Sequence, residues 1–551
     1  MVFALGASAF AATNSLETDY AIGDGLGVSV DLDIEGMYFD GVDILNTATN
    51  GYYPFSFSLI ASDRSKVASV TVSNGGSFHW AYAQNADGSY VTDEDGNYVE
   101  STTTNYGVVV LPTTSASTVT VTGTGNIGSA TFNCAQPSGG TTAAGAALYA
   151  YLPAPAQFVN EGVTTGGWGD AYDSNGAVKA NSTTGVSLGF FGGYAVYEFE
   201  NPIADDPTHP YGADFIVYGN AFWGNSEAGC IQVSKDGTTW YDIAGSMYYT
   251  KSTKGATITY TNPNATEDAG ITIPASNKGT LADVPYTLTV NGTTTTGTVT
   301  KNTFHNHSWF PLNVNYFVDY VTTETTRKQM AKVDEFSFVS RTLASNGVTD
   351  KLTFTGTLLT DYPGTGKTDQ IGFGYCDVHP NKTLGGTIAY NPYQTFTSSS
   401  DYDAKVADTS GGDPIDIAWA VKPNGTPANL GSIKYVRIYT GMAQMNGVFG
   451  EISTEVCGIA ACTGSTTETA ATPTITVNGV EKTAANGKLT RVTELGSSTC
   501  TVTASGNGYV YINGVATTSA TFTPTENGTP VQIIVQNGEA APYIAWLLLR
   551  A

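Results

Sequence analysis

The sequence predicts an all-β protein of several domains, and three observations lead to this prediction. Short runs of β-branched and aromatic residues, bounded by Gly, Asn, Asp and Pro, recur roughly every 8 to 15 positions. Helical periodicity is nearly absent. At about 100–200 residues per domain, the 551 residues correspond to three or four domains.

The beginning of the chain has the character of a secretory signal. Residues 2–12 form a short apolar run that ends in small side chains, and Ala9-Phe10-Ala11 fits a cleavage motif. No Lys or Arg precedes Arg64, so the basic part of such a signal would lie upstream of Met1. We interpret residues 1–12 as a signal-peptide remnant and expect an extracellular or cell-surface protein. A hydrophobic first strand is the alternative.

Residues 20–136 contain the strand-like runs of one sandwich of immunoglobulin-like size. Asp87-Gly88 and Asp95-Gly96 are turn signals within it. Residues 137–147 have no large side chain to bury, which is typical of a flexible linker. The sequence therefore predicts a separate N-terminal immunoglobulin-like domain.

Residues 148–458 form a predicted central domain that is richer in Trp, Phe and Tyr. Its segment at about 250–303 is rich in Thr, Asn and Gly, which indicates an inserted hairpin region rather than core.

Residues 461–473 are rich in Thr and Ala and form a second predicted linker. Residues 474–551 again contain strand-like runs. Two Asn-Gly pairs, at Asn478 and Asn513, predict tight hairpins there. We expect a C-terminal immunoglobulin-like domain.

An ordered series of blocks in the central domain resembles a family of bacterial cell-surface proteins. The blocks are Tyr151–Asn160, Leu188–Tyr194, Asp214–Phe222, Ser234–Tyr241, Asp416–Val421, Val436–Thr440 and Gly450–Val456. In this family a galactose-binding-like jelly-roll follows a signal peptide. The resemblance therefore implies secretion and a central jelly-roll β-sandwich flanked by the two immunoglobulin-like β-sandwiches. The family has no activity that carries over to this chain.

The charge balance excludes two classes of partner. The chain has 48 acidic and 23 basic residues, a formal charge of -25, which opposes binding to nucleic acid and anionic membranes. No apolar run approaches the roughly 20 residues of a membrane helix, so we expect no membrane insertion. The six cysteines are too few for a disulfide scaffold, although Cys457 and Cys462 are close enough in sequence to bridge.

One strand-and-loop segment carries a predicted calcium site. Asp214, Asn220, Asn225 and Glu227 could converge as oxygen ligands, of which Ca²⁺ requires six to eight. Galactose-binding-like folds often carry a structural calcium, so the resemblance points the same way. Further carboxylates come from Asp377, Asp413, Asp416 and Glu451. The alternative is that these side chains satisfy the backbone of turns.

Three tryptophans are the candidate ligand-binding residues. Trp168, Trp223 and Trp309 could offer flat apolar faces on which sugar rings stack. Trp223, in an Asn-rich loop, is the best candidate for exposure, and burial in the core is the alternative.

These features lead to a functional hypothesis. We expect a secreted, non-catalytic surface protein that binds a carbohydrate or another small ligand. One alternative is nutrient capture, for example of a corrinoid. The other is a glycan-active enzyme, although no spacing singles out two catalytic carboxylates.

Overall fold

The computed structural model describes most of the chain, in two compact units. The described residues are 16–23, 26–32, 38–40, 43–45, 56–85, 90–93, 96–112, 115–134, 145–160, 185–221, 223–224, 226–265, 281–302, 304–311, 336–360, 372–381, 383–407, 411–447 and 450–551. One unit comprises residues 1–143 with 199–202 and 234–239, and the other comprises residues 144–198, 203–233 and 240–551. These described residues form 35 strands and one α-helix, which confirms the all-β multidomain prediction.

The N-terminal unit is a sandwich of two five-stranded sheets. Its strands are β1 Leu16–Gly23, β2 Leu26–Leu32, β3 Tyr38–Asp40, β4 Asp43–Leu45, β5 Ser56–Ala61, β6 Val67–Val72, β7 Ser77–Trp80, β8 Tyr106–Val110, β9 Ser117–Gly123 and β10 Ser129–Cys134, with a 3-10 turn at Arg64–Lys66. The sheet orders are β1-β2-β5-β8-β7 and β3-β4-β10-β9-β6. Phe57, Leu59 and Val109 of one sheet form a core with Val121 and Phe132 of the other.

The second unit begins with the strands of the central domain. They are β11 Ala147–Leu152, β12 Val186–Ser187, β13 Tyr194–Ala204, β14 Phe215–Tyr218, β15 Gly229–Ser234, β16 Tyr241–Ile243, β17 Ser252–Thr261, β18 Val284–Val290, β19 Thr293–Val299, β20 Val339–Leu343, β21 Thr349–Leu359, β22 Asp413–Ile415, β23 Ala420–Val421, β24 Ser432–Thr440, β25 Glu455–Val456 and β26 Gly458–Ala461. The helix α1 spans Ser399–Lys405, and 3-10 turns lie at Pro210–Gly212 and Ile417–Trp419.

Two large sheets enclose the central core. The six-stranded sheet has the order β11-β13-β24-β15-β16-β23, and the five-stranded sheet has the order β19-β18-β17-β21-β20. Val196 and Tyr439 of the first pack with Ile258, Tyr260 and Phe354 of the second. Two smaller sheets, β22-β14-β26 and β12-β25, lie in the same domain and carry or flank the acidic residues described below.

The Thr-rich segment does not lie outside the core, contrary to our expectation. Its strand β17 is the middle strand of the five-stranded sheet. Ile258 and Tyr260 are fully buried, whereas the intervening Thr257 and Thr259 face outward. Successive side chains of a strand point to opposite faces, so a Thr-rich strand can still bury a complete apolar face.

The C-terminal part is a further two-sheet sandwich. Its strands are β27 Thr474–Val477, β28 Val480–Glu481, β29 Leu489–Val492, β30 Cys500–Ser505, β31 Tyr509–Ile512, β32 Val515–Ala516, β33 Ser519–Phe522, β34 Thr529–Gln536 and β35 Tyr543–Leu549, in the orders β28-β27-β30-β33 and β29-β35-β34-β31-β32. Both predicted hairpins are confirmed: Val477 pairs with Val480, and Ile512 pairs with Val515. Asn478 and Asn513 have positive φ, as such tight turns require.

The C-terminal sandwich packs against the central domain within one compact unit. One face of β34 and β35 fills its own core, and the opposite face, including Ile534 and Trp546, is also buried. The Tyr511 hydroxyl donates to the carbonyl of Tyr393 over 2.9 Å, and the Tyr511 ring lies 5.2 Å from that of Phe373. Residues 461–473 therefore connect two parts of one packed structure.

All six cysteines are buried and unbridged. Cys457 and Cys462 flank strand β26, and an extended strand carries its two ends too far apart for a disulfide. Proximity in sequence therefore does not give a bridge here. Among the described residues, no helix is both long and apolar enough to cross a membrane.

Candidate functional site

Three carboxylates from separate parts of the central domain converge beside strand β25. One oxygen each from Glu227, Asp377 and Glu455 lies within 4.8 Å of the others, and we call these residues the carboxylate triad. Glu227 precedes β15, Asp377 lies in a loop, and Glu455 begins β25. A backbone hydrogen bond joins two of these segments: the amide of Glu227 donates to the carbonyl of Asp377 over 3.1 Å.

Asp377 is the centre of the triad. Its Oδ1 accepts from the amide of Asn220 over 2.6 Å, and its Oδ2 accepts from the amide of Glu455 over 3.1 Å. Its own φ is 59°, a left-handed conformation that costs energy for a residue other than glycine. A Cβ at Gly219 would lie 2.3 Å from Asp377 Oδ1. Only glycine therefore allows these two segments of the backbone to approach each other so closely.

The triad concentrates negative charge in a buried place. Burial, followed by the charge of Asp377, raises the pKa of Glu227 to about 8. Burial raises the pKa of Asp377 to about 7, and burial with the charge of Glu227 holds the pKa of Glu455 well above its ordinary value. Within the described ranges, no ion pair joins a lysine or arginine to any of the three. Protons or a bound cation must therefore balance this charge.

Glu451 adds a fourth acidic group nearby. It is 3% exposed, and its Oε1 accepts from the amide of Gln157 over 3.1 Å. Among the described residues, its Oε2 has no hydrogen-bond partner. The charge of Glu451 contributes to the raised pKa of Glu227, and burial raises the pKa of Glu451 itself to about 7.

A second acidic cluster contains Asp205, Asp214 and Asp416, whose ligand atoms also lie within 4.8 Å of one another. Here a basic group is present, because His209 Nδ1 lies 3.3 Å from Asp214 Oδ1. The two oxygens of Asp214 also accept backbone amides, from Asp206 and from Ile417, each over 2.9 Å. Asp214 thus has the backbone partners that the turn alternative predicted.

The predicted calcium ligands are therefore divided between two places. Asp214 belongs to the second cluster and Glu227 to the triad. The expectation that both residues are ligands of one calcium site is therefore corrected. Asn220 lies beside the triad through its backbone amide, and Asn225 lies outside the described residues. In the sequence Asp377 is only one further carboxylate and Glu455 gives no signal, because nothing in the local sequence pairs either residue with Glu227.

The three predicted tryptophans differ in their surroundings. Trp309 is fully buried and its Nε1 donates to the carbonyl of His305, so it offers no ring face to a ligand and that prediction is corrected. Trp168 lies outside the described residues. Trp223 is half-buried, and its ring centroid lies 6.2 Å from that of Tyr402.

The aromatic support of Trp223 continues inward. The Tyr402 ring stacks on His379 with centroids 5.5 Å apart and planes 16° apart. His379 Nδ1 lies 2.8 Å from Asp413 Oδ1. Asp413 also accepts the backbone amides of Val378 and His379, over 3.0 and 3.1 Å, and these two residues directly follow Asp377 of the triad in the chain.

One catalytic arrangement fits this geometry poorly. Residues 185–189 match the Gly-x-Ser-x-Gly pattern of a nucleophile elbow, but Ser187 is fully buried in β12. Its hydroxyl contacts Ser453 and Glu455, and the strand-turn-helix context of an elbow is missing here.

Comparison of the chain with protein-family models and with curated proteins finds no match.

Proposed function

We propose that this protein is a non-catalytic, secreted surface protein that binds a small ligand, with a central domain that binds a divalent cation at the carboxylate triad. The observation that carries the proposal is the convergence of Glu227, Asp377 and Glu455, to which no lysine or arginine of the described part of the chain is ion-paired. Buried carboxylates are usually paired or coordinate metals. A cation would remove the charge imbalance that burial creates.

Calcium is the ion that this arrangement favours. Ca²⁺ takes six to eight oxygen ligands in irregular geometry, whereas Mg²⁺ requires a near-ideal octahedron. The triad supplies only oxygen ligands, from three segments with no common repeat. Glu227 is half-buried, which leaves solvent access for water ligands.

A carbohydrate is the ligand class that we propose. Trp223 is half-buried and stands four residues before Glu227 in the chain. Tryptophan rings offer a large rigid face with a polar edge, which suits sugar rings. Secretion and the jelly-roll family resemblance belong to this same proposal, and the low basic content agrees with a ligand that is not polyanionic.

Calorimetry on the full chain tests cation binding. We expect Ca²⁺ to bind the metal-free protein and to stabilise it by about 2.7 kcal/mol at a hundredfold excess over Kd. Glu227→Gln should abolish this binding, and Glu481→Gln, an exposed glutamate of the C-terminal sandwich, is the matched control. Absence of Ca²⁺ binding in the wild type would overturn the proposal.

A glycan array with the full chain, in Ca²⁺ and in EGTA, tests the ligand class. We expect a defined group of glycans to bind, and Trp223→Ala to weaken that binding. No binding to any glycan would count against the carbohydrate class. Release of reducing sugar from a bound glycan would favour the enzyme alternative instead.

A further inference from the structure

Residues 234–239 span the turn between β15 and β16 and belong to the N-terminal unit, and we call them the 234–239 turn. The side chain of Asp236, within this turn, is 4% exposed. Its Oδ1 accepts from the Ser234 hydroxyl over 3.0 Å. The same oxygen accepts the amides of Thr238 and Thr239 over 2.8 and 2.7 Å. Asp236 Oδ1 therefore organises the turn, and Oδ2 is left for a partner outside it.

His79 of strand β7 is that partner. Its Nε2 lies 3.4 Å from Asp236 Oδ2, and its Nδ1 lies 3.0 Å from the carbonyl oxygen of Trp80. A carbonyl oxygen and an ionised carboxylate oxygen only accept hydrogen bonds, whereas a neutral imidazole has a single N–H to donate. Both contacts can therefore form together only when the His79 ring is protonated and carries a positive charge.

The surroundings of His79 favour the charged ring. It stacks on Tyr82 with centroids 4.5 Å apart and planes 8° apart, and aromatic faces attract cations. Burial lowers the pKa of His79, but the hydrogen bond and charge of Asp236 outweigh it, so that the pKa lies above its ordinary value of 6.5. Burial raises the pKa of Asp236, but His79 and the turn amides bring it below its ordinary value. The two side chains therefore form a buried ion pair.

Few other charged groups face this pair in the described part of the chain. The charge of Glu100 also raises the pKa of His79, and Arg64 Nη2 lies 3.7 Å from Glu100 Oε2. Lys235 interacts electrostatically with Asp236, its neighbour in the chain. The Tyr90 hydroxyl donates to the carbonyl of Thr238 over 2.9 Å, which is a second tie to the turn. Asp236 is thus the main charged partner of His79.

We propose that His79 is a pH-dependent fastening: the imidazolium holds the 234–239 turn against strand β7, and the neutral ring releases it. When His79 loses its proton to solvent, Asp236 keeps its charge but no longer has a counter-ion. A buried charge without a partner is costly, so the turn opens and water solvates Asp236. The fastening is fully present below pH 6.5 and is lost as the pH rises through the pKa of His79 in the folded protein.

The first test is NMR of the full chain labelled with ¹³C-histidine, which follows the titration of its five histidines. The signal that is absent from His79→Gln belongs to His79 and should titrate above pH 6.5. In Asp236→Asn the pKa of His79 should fall below 6.5, because burial then dominates. Glu100→Gln is the matched control. Glu100 contributes least to the pKa of His79, so the fall should be smaller there.

The second test measures release by hydrogen exchange of the peptide that carries the Thr238 and Thr239 amides. Wild type and His79→Gln are compared at equal pH, so that intrinsic exchange rates cancel. At pH 6 the variant should exchange faster, and at pH 9 the two proteins should agree. In the wild type the opening constant should rise between these pH values by about tenfold for each unit by which the pKa of His79 exceeds 6.5.

Asp236→Asn is the second variant for hydrogen exchange, because asparagine keeps an oxygen acceptor for the two turn amides and loses only the charge. It should also exchange faster than the wild type at pH 6. Three results would each overturn the proposal: a His79 pKa at or below 6.5 in the wild type, a pKa that Asp236→Asn leaves unchanged, or equal exchange of the turn in the wild type and the variants at pH 6.

Discussion

Replacing Glu227 by Gln should have opposite effects on stability with and without calcium. In the metal-free protein the pKa of Glu227 rises from 4.5 to about 8 on folding, through burial and the charge of Asp377. At about 1.4 kcal/mol per pKa unit, this rise corresponds to roughly 4–5 kcal/mol of folding free energy. This contribution of Glu227 to the stability should be fully present below pH 4.5 and should be lost as the pH rises through about 8.

Glutamine has nearly the same shape and cannot ionise. In EDTA at pH 8.5, Glu227→Gln should therefore be more stable than the wild type, by up to roughly 4–5 kcal/mol. In excess Ca²⁺ the order should reverse, because only the wild type gains the binding energy of the ion. The assay is thermal unfolding of the full chain between pH 5 and 8.5, in EDTA and in CaCl₂, where several kcal/mol shift the midpoint by several degrees.

Glu481→Gln is the control, and it should leave both pH profiles unchanged because Glu481 is exposed. Flat stability of the metal-free wild type between pH 5 and 8 would refute the reasoning. So would a Glu227→Gln protein that follows the wild-type profile, since the titration would then belong to other groups.

Three further predictions concern the backbone beside the triad, a buried ion pair of the six-stranded sheet, and a buried tryptophan of the C-terminal sandwich. Gly219→Ala places a Cβ 2.3 Å from Asp377 Oδ1, so it should destabilise the protein by about 1–3 kcal/mol and weaken Ca²⁺ binding in calorimetry. The Lys434 Nζ atom lies 2.9 Å from Glu198 Oε1, and Lys434→Met removes this charge from beside the buried carboxylate. The variant should lose about 3–5 kcal/mol of unfolding free energy in thermal unfolding, and replacing both residues by apolar ones should restore most of this stability. Trp546 is only 1% exposed, so Trp546→Ala should lower the free energy of unfolding by about 3–5 kcal/mol and speed proteolytic cleavage within residues 461–473. An unchanged rate of cleavage would show that Trp546 does not hold the C-terminal sandwich against the central domain.

Local patterns were sufficient for the all-β class and for the tight hairpins. The Asn-Gly pairs at Asn478 and Asn513 gave the correct hairpins, because few residues tolerate the positive φ that these turns need. The same type of pair closes the hairpin between β18 and β19 at Asn291, within the Thr-rich segment. Its composition alone indicates a segment outside the core, whereas the alternation of its side chains is that of a strand with one buried face.

Packing between distant segments could not be predicted from the same patterns. Trp309 follows the polar residues His305–Ser308, and Trp223 stands between Asn220 and Asn225, yet Trp309 is fully buried and Trp223 is half-buried. In β34, Ile533 fills the core of the C-terminal sandwich and Ile534 is buried on the opposite face. A strand with apolar side chains on both faces indicates that both faces are buried. The sequence does not show which other elements pack on each face.

The sequence by itself determined the all-β class, the hairpins, the acidic charge and the abundance of oxygen ligands in the central domain. Only the tertiary structure decided which carboxylates meet. Glu227, Asp377 and Glu455 are far apart in the chain, and strand pairing brings them within 4.8 Å. The physical reason is that backbone pairing and core packing are non-local in a β-sandwich, so residue spacing carries little information about which side chains share a site.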